Sequence, residues 1–547
     1  MTVSVNDSKM HEKSTITEAA RFIHGPALSE ALAQLAADDP QRIYLRTRDR
    51  SLTVAELNDR VDAAVEALRR HGIDSESRVA LAADVGIDHV TLIFALLRLG
   101  ALWVPTNTQL RGEPLRHHLG DSGATVLIVQ RPSILLENVP ETIATKDLGL
   151  PDRAGPELVL VSPQSLLSEN LVPAAGDRGD ACVLMYTSGT TGPPKGALVS
   201  ETMLRAAVLG TLEVTEPRTG DVFYVWEPLF HIGGAQVVFV PLFCDTTLAL
   251  VPKFSASRFW RDIVDFDVTH IHYLGGVLQI LLQLPPVPEE RDNRVRIAWG
   301  AGATPEVRKA CHSRYAFALH ECYGMTEVSS VVTVNRNDPE GGVGALFPWV
   351  EIAIDSSHRD ASDRDSSHLG AVEGGRFSLP GDPPLPGEIL VKGRVDGILT
   401  AGYLGNAEAT EKARDGQWFR TGDFGRLDEK GNLHFEGRGS DSIRVRGENV
   451  SAWQVESIFG LHPHVDRCAV IGVDAKVGEQ EMMLIVTEGE GQVLSPKSLI
   501  DWGRGRLAKF QVPRYIKIVS EMPLTPSQRI AKHRLPKDLE GAFDVSS

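Results

Sequence analysis

The segment TSGTTGPPKG, from Thr187 to Gly196, holds the densest chemistry in the chain. The hydroxyls of Thr187, Ser188, Thr190 and Thr191 surround Gly189, and Lys195 adds a cation near the end of the segment. A loop of this composition can turn its backbone N–H groups toward phosphate oxygens. It is not a Walker loop, because Pro194 stands where the second glycine belongs and Gly196 where a Mg²⁺-binding Ser or Thr should follow the lysine. Farther along, Glu327 is a hard oxygen donor suited to Mg²⁺, and Tyr323 offers an aromatic face. Asp423 can accept from a pair of sugar hydroxyls. Gly300, Ala301 and Gly302 carry little side chain, so a flat ligand could approach their backbone closely.

These residues need a scaffold, and the surrounding pattern supplies one. Apolar runs at Val79–Ala82, Ala124–Val129, Cys182–Tyr186 and Val295–Trp299 are bounded by Gly, Pro, Asp or Ser and separated by helical periodicity. That alternation predicts an α/β fold with mostly parallel, buried strands. Thr53 and Glu56 form a capping box, followed by Leu57, Val61, Val65 and Leu68 at helical spacing until Gly72. The phosphate-type loop directly follows one strand run, and Gly300 directly follows another. Near Gly437 the texture changes: strand-like runs at Cys468–Val473, Met482–Val486 and Tyr515–Val519, with a helical stretch near Leu499–Leu507, predict a small α+β domain.

The division expected is a disordered N-terminus over 1–25, a large multi-subdomain region over 26–437, and a small mobile domain over 438–547. Residues 355–386, rich in Ser, Asp, His, Gly and Pro, read as a loop insertion in the large region.

Composition narrows the function classes. The chain has 547 residues and a net charge of −16, which argues against nucleic-acid binding. No apolar run is long enough to span a membrane, and no signal peptide is visible. The 5 cysteines are scattered without CxxC spacing, as expected in a reducing cytoplasm.

The loop Thr187–Gly196 resembles the phosphate-binding signature of the adenylate-forming superfamily, which includes acyl-CoA synthetases, peptide-synthetase adenylation domains and beetle luciferases. Further matches follow in the family's order: PLFHIGG at Pro228–Gly234, GAGATP at Gly300–Pro305, YGMTE at Tyr323–Glu327, FRTGD at Phe419–Asp423 and GRGSDSIRVRGENV at Gly437–Val450. The pattern is closest to that of acyl-CoA ligases. The resemblance implies a two-step reaction, in which an acid and ATP give acyl-adenylate and pyrophosphate, and the thiolate of CoA then attacks the acyl carbonyl.

It also implies roles. Thr187, Ser188, Gly189, Thr190, Thr191 and Lys195 would hold phosphates, with Mg²⁺ shared by Thr187 and Glu327. Gly300, Ala301, Gly302, Tyr323, Gly324 and Thr326 would line the adenine site, and Asp423 and Arg438 would meet the ribose. Arg446 and Gly447 would line the passage for the CoA arm, and Ser440 would be the hinge. His231 would border and gate the acyl site. Peptide-synthetase domains usually hold an Asp there for the substrate's amino group. Its absence, beside apolar Leu274–Leu278, predicts a hydrophobic acid without an α-amino group.

The closing motif departs from the family. Gln528 and Arg529 stand where the pattern has Gly-Lys, and the forked guanidinium of Arg529 does not freely replace an ammonium placed between two oxyanions. Lys532 lies three residues on. The expectation is therefore an intact thioester-forming half and a weak or absent adenylating half, with acyl-adenylate supplied by a separate enzyme. The alternatives are a complete two-step ligase using Arg529 or Lys532, an enzyme loading a carrier protein, and a non-catalytic acyl-adenylate binder.

Overall fold

A computed structural model describes residues 15–130, 145–150, 157–163, 176–187, 193–303, 305–336, 338–356, 377–378, 387–438, 442–445, 448–460, 462–474, 480–489, 493–523, 530, 532 and 535–545. The large region contains two α/β sheets and a third, antiparallel one. In the first sheet, Arg78–Ala82 pairs in parallel with Leu102–Pro105 and Val126–Gln130, while Ala181–Thr187 and Lys195–Ser200 form an antiparallel edge pair. In the second, Asp221–Val225, His270–Leu274, Ile297–Ala301 and Ala318–Met325 run parallel at the centre.

Parallel pairing thus occupies the centres of these two sheets, as their continuous apolar runs predict. The third sheet is antiparallel throughout and includes Val350–Asp355, Gly387–Gly393, Trp418–Leu427 and Leu433–Arg438. In Trp418–Leu427 half-buried and buried residues alternate strictly, the signature of a strand with one covered face.

The helix expected after Thr53 runs Val54–Arg70 with both hydrogen bonds of the capping box formed. Its buried residues include Leu57, Val61, Val65 and Leu68, which belong to the principal core. Gly100 at φ 75° ends the helix Ile87–Leu99 before the strand Leu102–Pro105 begins.

The N-terminal expectation needs correction over residues 15–25, residues 1–14 lying outside the described residues. Residues 15–23 are helical, and Ile23 is fully buried. The segment is ordered because Arg205, itself buried, donates to the carbonyls of Phe22 and Pro26 at 2.7 and 2.8 Å. Most of 355–386 lies outside the described residues. Phe377–Ser378 pairs with Ile354–Asp355 at the edge of the third sheet.

The small domain places Val465–Val473, Glu481–Glu488, Tyr515–Val519 and Phe543–Asp544 in one sheet, covered by helices Ala452–Phe459 and Pro496–Arg504. A separate hairpin, Ser442–Val445 with Glu448–Ser451, precedes the first helix. Among the described residues no helix is long and apolar enough to cross a membrane.

Candidate active site

Thr187 ends its strand directly opposite Lys195 on the neighbouring strand. Its hydroxyl donates to Glu327 Oε1 at 3.0 Å, although 140 residues separate them. Glu327 sits in the short turn Thr326–Val328 and is buried. The following Ser329 and Ser330 both take left-handed backbone, at φ 61° and 69°, which reverses the chain at once. Tyr403 also donates to Glu327 Oε1 at 3.0 Å, and Lys195 Nζ lies 5.1 Å from the Tyr403 ring centre. Burial lowers the Lys195 pKa, partly opposed by the charge of Glu327.

Glu327 Oε2 is buried without a hydrogen-bond partner. A carboxylate oxygen left so, next to a threonine hydroxyl, fits a hard divalent cation whose other ligands are water and substrate phosphate.

A second cluster joins residues far apart in sequence. Tyr323 donates from its phenol to Asp423 Oδ2 at 2.9 Å, across 100 residues. Asp423 pairs through the backbone with Arg438. The Tyr323 ring stands 5.9 Å from that of Phe435 at a 32° tilt. Gly324 follows at a register shift in its strand pair, and a Cβ there would lie 1.5 Å from the Ser330 carbonyl oxygen. Only glycine fits, and its own surface is exposed, as are those of Ala301 and Gly302.

The loop after Gly300 is held from behind. Glu321 Oε1 accepts from the backbone N–H of Gly302 at 2.6 Å and of Ala303 at 3.2 Å, while Tyr273 donates to Oε2 at 2.5 Å. Burial pushes the Glu321 carboxyl up to about 7, against the pull of these donors.

His231 is the N-cap residue of the helix Ile232–Val237. Its Nε2 lies 2.8 Å from Glu448 Oε2, at the start of the second strand of the hairpin in the small domain. Lys532 pairs with Glu456 at 2.8 Å, a contact within the small domain. Ser188, Gly189, Thr190, Thr191, Ser440, Arg446, Gly447 and Arg529 lie outside the described residues, as does the side chain of Arg438.

The structure therefore brings together Thr187, Lys195, Thr326 and Glu327 in one cluster and Tyr323 and Asp423 in another. Sequence reasoning missed Tyr403, Glu321 and Glu448. Glu448 lies inside a quoted motif and Glu321 two residues before another, but Tyr403 has no such signal.

Residues 32–404 match the AMP-binding enzyme family, and residues 454–529 match the AMP-binding enzyme C-terminal domain. Among curated proteins, the indoleacetate–CoA ligase of Aromatoleum aromaticum is 28% identical over 92% of this chain and 96% of its own. The 2-succinylbenzoate–CoA ligase of Bacillus mycoides is 27% identical over 93% and 98%. Among solved structures, a double variant of the o-succinylbenzoate CoA synthetase of Bacillus subtilis, bound with its product analogue OSB-NCoA, gives a TM-score of 0.76. The match has 26% identity over 92% of this chain and 98% of that one. The same enzyme in complex with its acyl-adenylate intermediate gives 0.60, with 26% identity over 92% and 97%. With family matches across both the large region and the small domain, the chain belongs to the AMP-binding enzyme family, within the adenylate-forming superfamily.

Proposed function

We propose that the protein is an acyl-CoA ligase that forms the CoA thioester of a largely apolar acid without an α-amino group, by way of an acyl-adenylate. The observation that carries this reading is the contact of His231 with Glu448. It seats the hairpin of the small domain against the residue that borders the acyl site. The higher TM-score against the enzyme bound with a CoA product analogue, compared with its acyl-adenylate complex, supports the same arrangement.

In this reading the nucleotide lies between the exposed backbone of Ala301–Gly302 and the ring of Tyr323, with Asp423 accepting from the ribose hydroxyls. Lys195 and the loop after Thr187 face the phosphates. Thr187 and Glu327 would hold Mg²⁺, which when bound offsets phosphate charge. The CoA thiolate attacks the acyl carbonyl, the C–S bond forms, and the bond to the AMP phosphate oxygen breaks. Glu448 fixes the His231 ring while this occurs, and Leu274, Val277 and Leu278 exclude water from the acyl chain.

The adenylating half is proposed to be weak or absent, because Arg529 replaces the family lysine and Lys532 is engaged by Glu456 in this arrangement. Acyl-adenylate would then come from a separate enzyme. The test measures acid-dependent ATP–pyrophosphate exchange beside CoA transfer from synthetic acyl-adenylates. Slow exchange with rapid transfer is expected. Rapid exchange would establish a complete two-step ligase, and absence of transfer to CoA would overturn the ligase reading.

A further inference from the structure

A buried acid–base pair lies close to the residues assigned to the acyl site and takes no part in the chemistry above. Glu227 comes just after the strand Asp221–Val225 and four residues before His231. It folds back onto the helix Ile232–Val237: a Cβ at Gly233 would lie 2.8 and 2.9 Å from its two carboxyl oxygens. The glycine thus leaves the space that the carboxylate fills. His272 Nδ1 stands 2.5 Å from Glu227 Oε2, and the two side chains are 10% and 8% exposed.

The pair occupies the wall beneath the nucleotide cluster. His272 is in register with Trp299, the residue before Gly300, and their ring centres are 4.2 Å apart. Trp226 donates to the His272 carbonyl at 2.8 Å. The charge of Glu227 also reaches the thiol of Cys322, the residue before Tyr323, and that thiol donates to the Gly300 carbonyl at 3.0 Å.

Two further observations point to a ligand at this wall. His272 lies on an interior strand paired on both sides, yet its side chain keeps surface, as do Gly233 and Leu274, so a cleft reaches them from within. Trp299 is 1% exposed and its indole N–H has no partner. A buried indole N–H ordinarily finds an acceptor, and a hydroxyl in this place could accept from it while donating elsewhere.

We propose that Glu227 and His272 are specificity-determining residues, which select an acid bearing a hydrogen-bond donor, a hydroxyl or an amine, at the end remote from its carboxyl group. This rests on the reading of His231 as a border of the acyl site. A polar pair as buried as this one is costly unless it is hydrogen-bonded. A carboxylate has about four acceptor positions, enough for His272, a further partner within the chain and a donor on the substrate. Sites built around such a bond discriminate strongly against an isostere that lacks it.

The test compares 4-hydroxyphenylacetic, 4-aminophenylacetic and 4-methylphenylacetic acids and the matching phenylpropionic series, each also as its synthetic acyl-adenylate. CoA thioester formation by the full chain is measured, and acid binding is followed separately by tryptophan fluorescence. In at least one series a donor-bearing acid should exceed its methyl isostere at least tenfold in kcat/KM. E227L should bring that ratio to one or below, while E227Q, which keeps an acceptor oxygen but not the charge, should lower the ratio without abolishing it. A preference in the wild type for the hydroxyl or for the arylamine, both neutral donors near pH 7, supports the proposal. If thioesters form but the methyl acids are equal or better, the proposal falls while the ligase reading stands. If no thioester forms from any acyl-adenylate, the ligase reading falls, and equal binding of donor and methyl acids would overturn this proposal as well. If E227L does not fold, an unchanged preference in E227Q overturns it.

Discussion

His231 and Glu448 meet at 2.8 Å although 217 residues separate them, and the contact joins the helix Ile232–Val237 of the large region to the small domain's hairpin. Neither side chain is fully buried, at 33% and 19% exposure, so solvent screens the pair and its worth lies in orientation more than in stability.

Replacing Glu448 by glutamine should therefore lower CoA transfer from acyl-adenylate by about tenfold, with thermal stability almost unchanged. ATP–pyrophosphate exchange, measured on the same preparation, should stay within about twofold. An equal loss in both half-reactions would assign the contact to general folding.

Glu327→Gln removes the charge next to the hydroxyl of Thr187. Mg²⁺-dependent ATP binding, followed by calorimetry, should weaken by at least about tenfold, since magnesium requires hard oxygen ligands. AMP binding without metal should change by no more than about twofold. The two titrations separate a metal role from damage to the nucleotide site.

Arg529→Lys should raise acid-dependent ATP–pyrophosphate exchange by about tenfold or more, because a compact ammonium can sit between two oxyanions where a planar guanidinium does not. CoA transfer from acyl-adenylate should be unaffected. No increase in exchange would show that residue 529 does not limit adenylation.

Glu321 gives a stability profile with a definite sign. Its carboxyl rises from 4.5 to about 7 on burial in the folded chain, so between these values the native state holds a proton that the unfolded chain has released. Native stability relative to Glu321→Gln should be greatest below about pH 4.5 and fall progressively until about pH 7, by on the order of 3 kcal/mol. Urea unfolding of both proteins from pH 4.5 to pH 8 reads this directly. A constant difference would place the carboxyl's titration outside that window.

Much of the site is legible from local sequence because glycine and charge requirements are local. Thr187, Glu327, Tyr323 and Asp423 each stand in a short pattern with its own steric reason, and the fold then brings Thr187 to Glu327 and Tyr323 to Asp423. Tyr403 is not legible. Its hydroxyl reaches Glu327 only because the residues before it cross onto the strand Lys195–Ser200, where Thr400 donates to the Leu198 carbonyl at 2.7 Å. The antiparallel third sheet was missed for a related reason: Val350–Asp355, Gly387–Gly393 and Trp418–Leu427 pair across long stretches of chain, and the stretch between the first two reads as featureless polar chain. The N-terminal helix was missed because Phe22 gains its partners from Arg205 and Phe243, which no nearby residue reveals.

That helix has a practical consequence for handling the protein. The Arg205 guanidinium lies 5.1 and 5.0 Å from the ring centres of Phe22 and Phe243, and it donates to main-chain carbonyls of the N-terminal segment. Deleting residues 1–26 would strip those acceptors and the Phe22 ring that covers the ion, leaving Arg205 beside the charge of Glu201, at a cost of about 1.5–3 kcal/mol for each hydrogen bond to a charged group. Residues 15–26 thus act as the stopper of a charge buried in the large region, and an expression tag belongs ahead of them, never in their place.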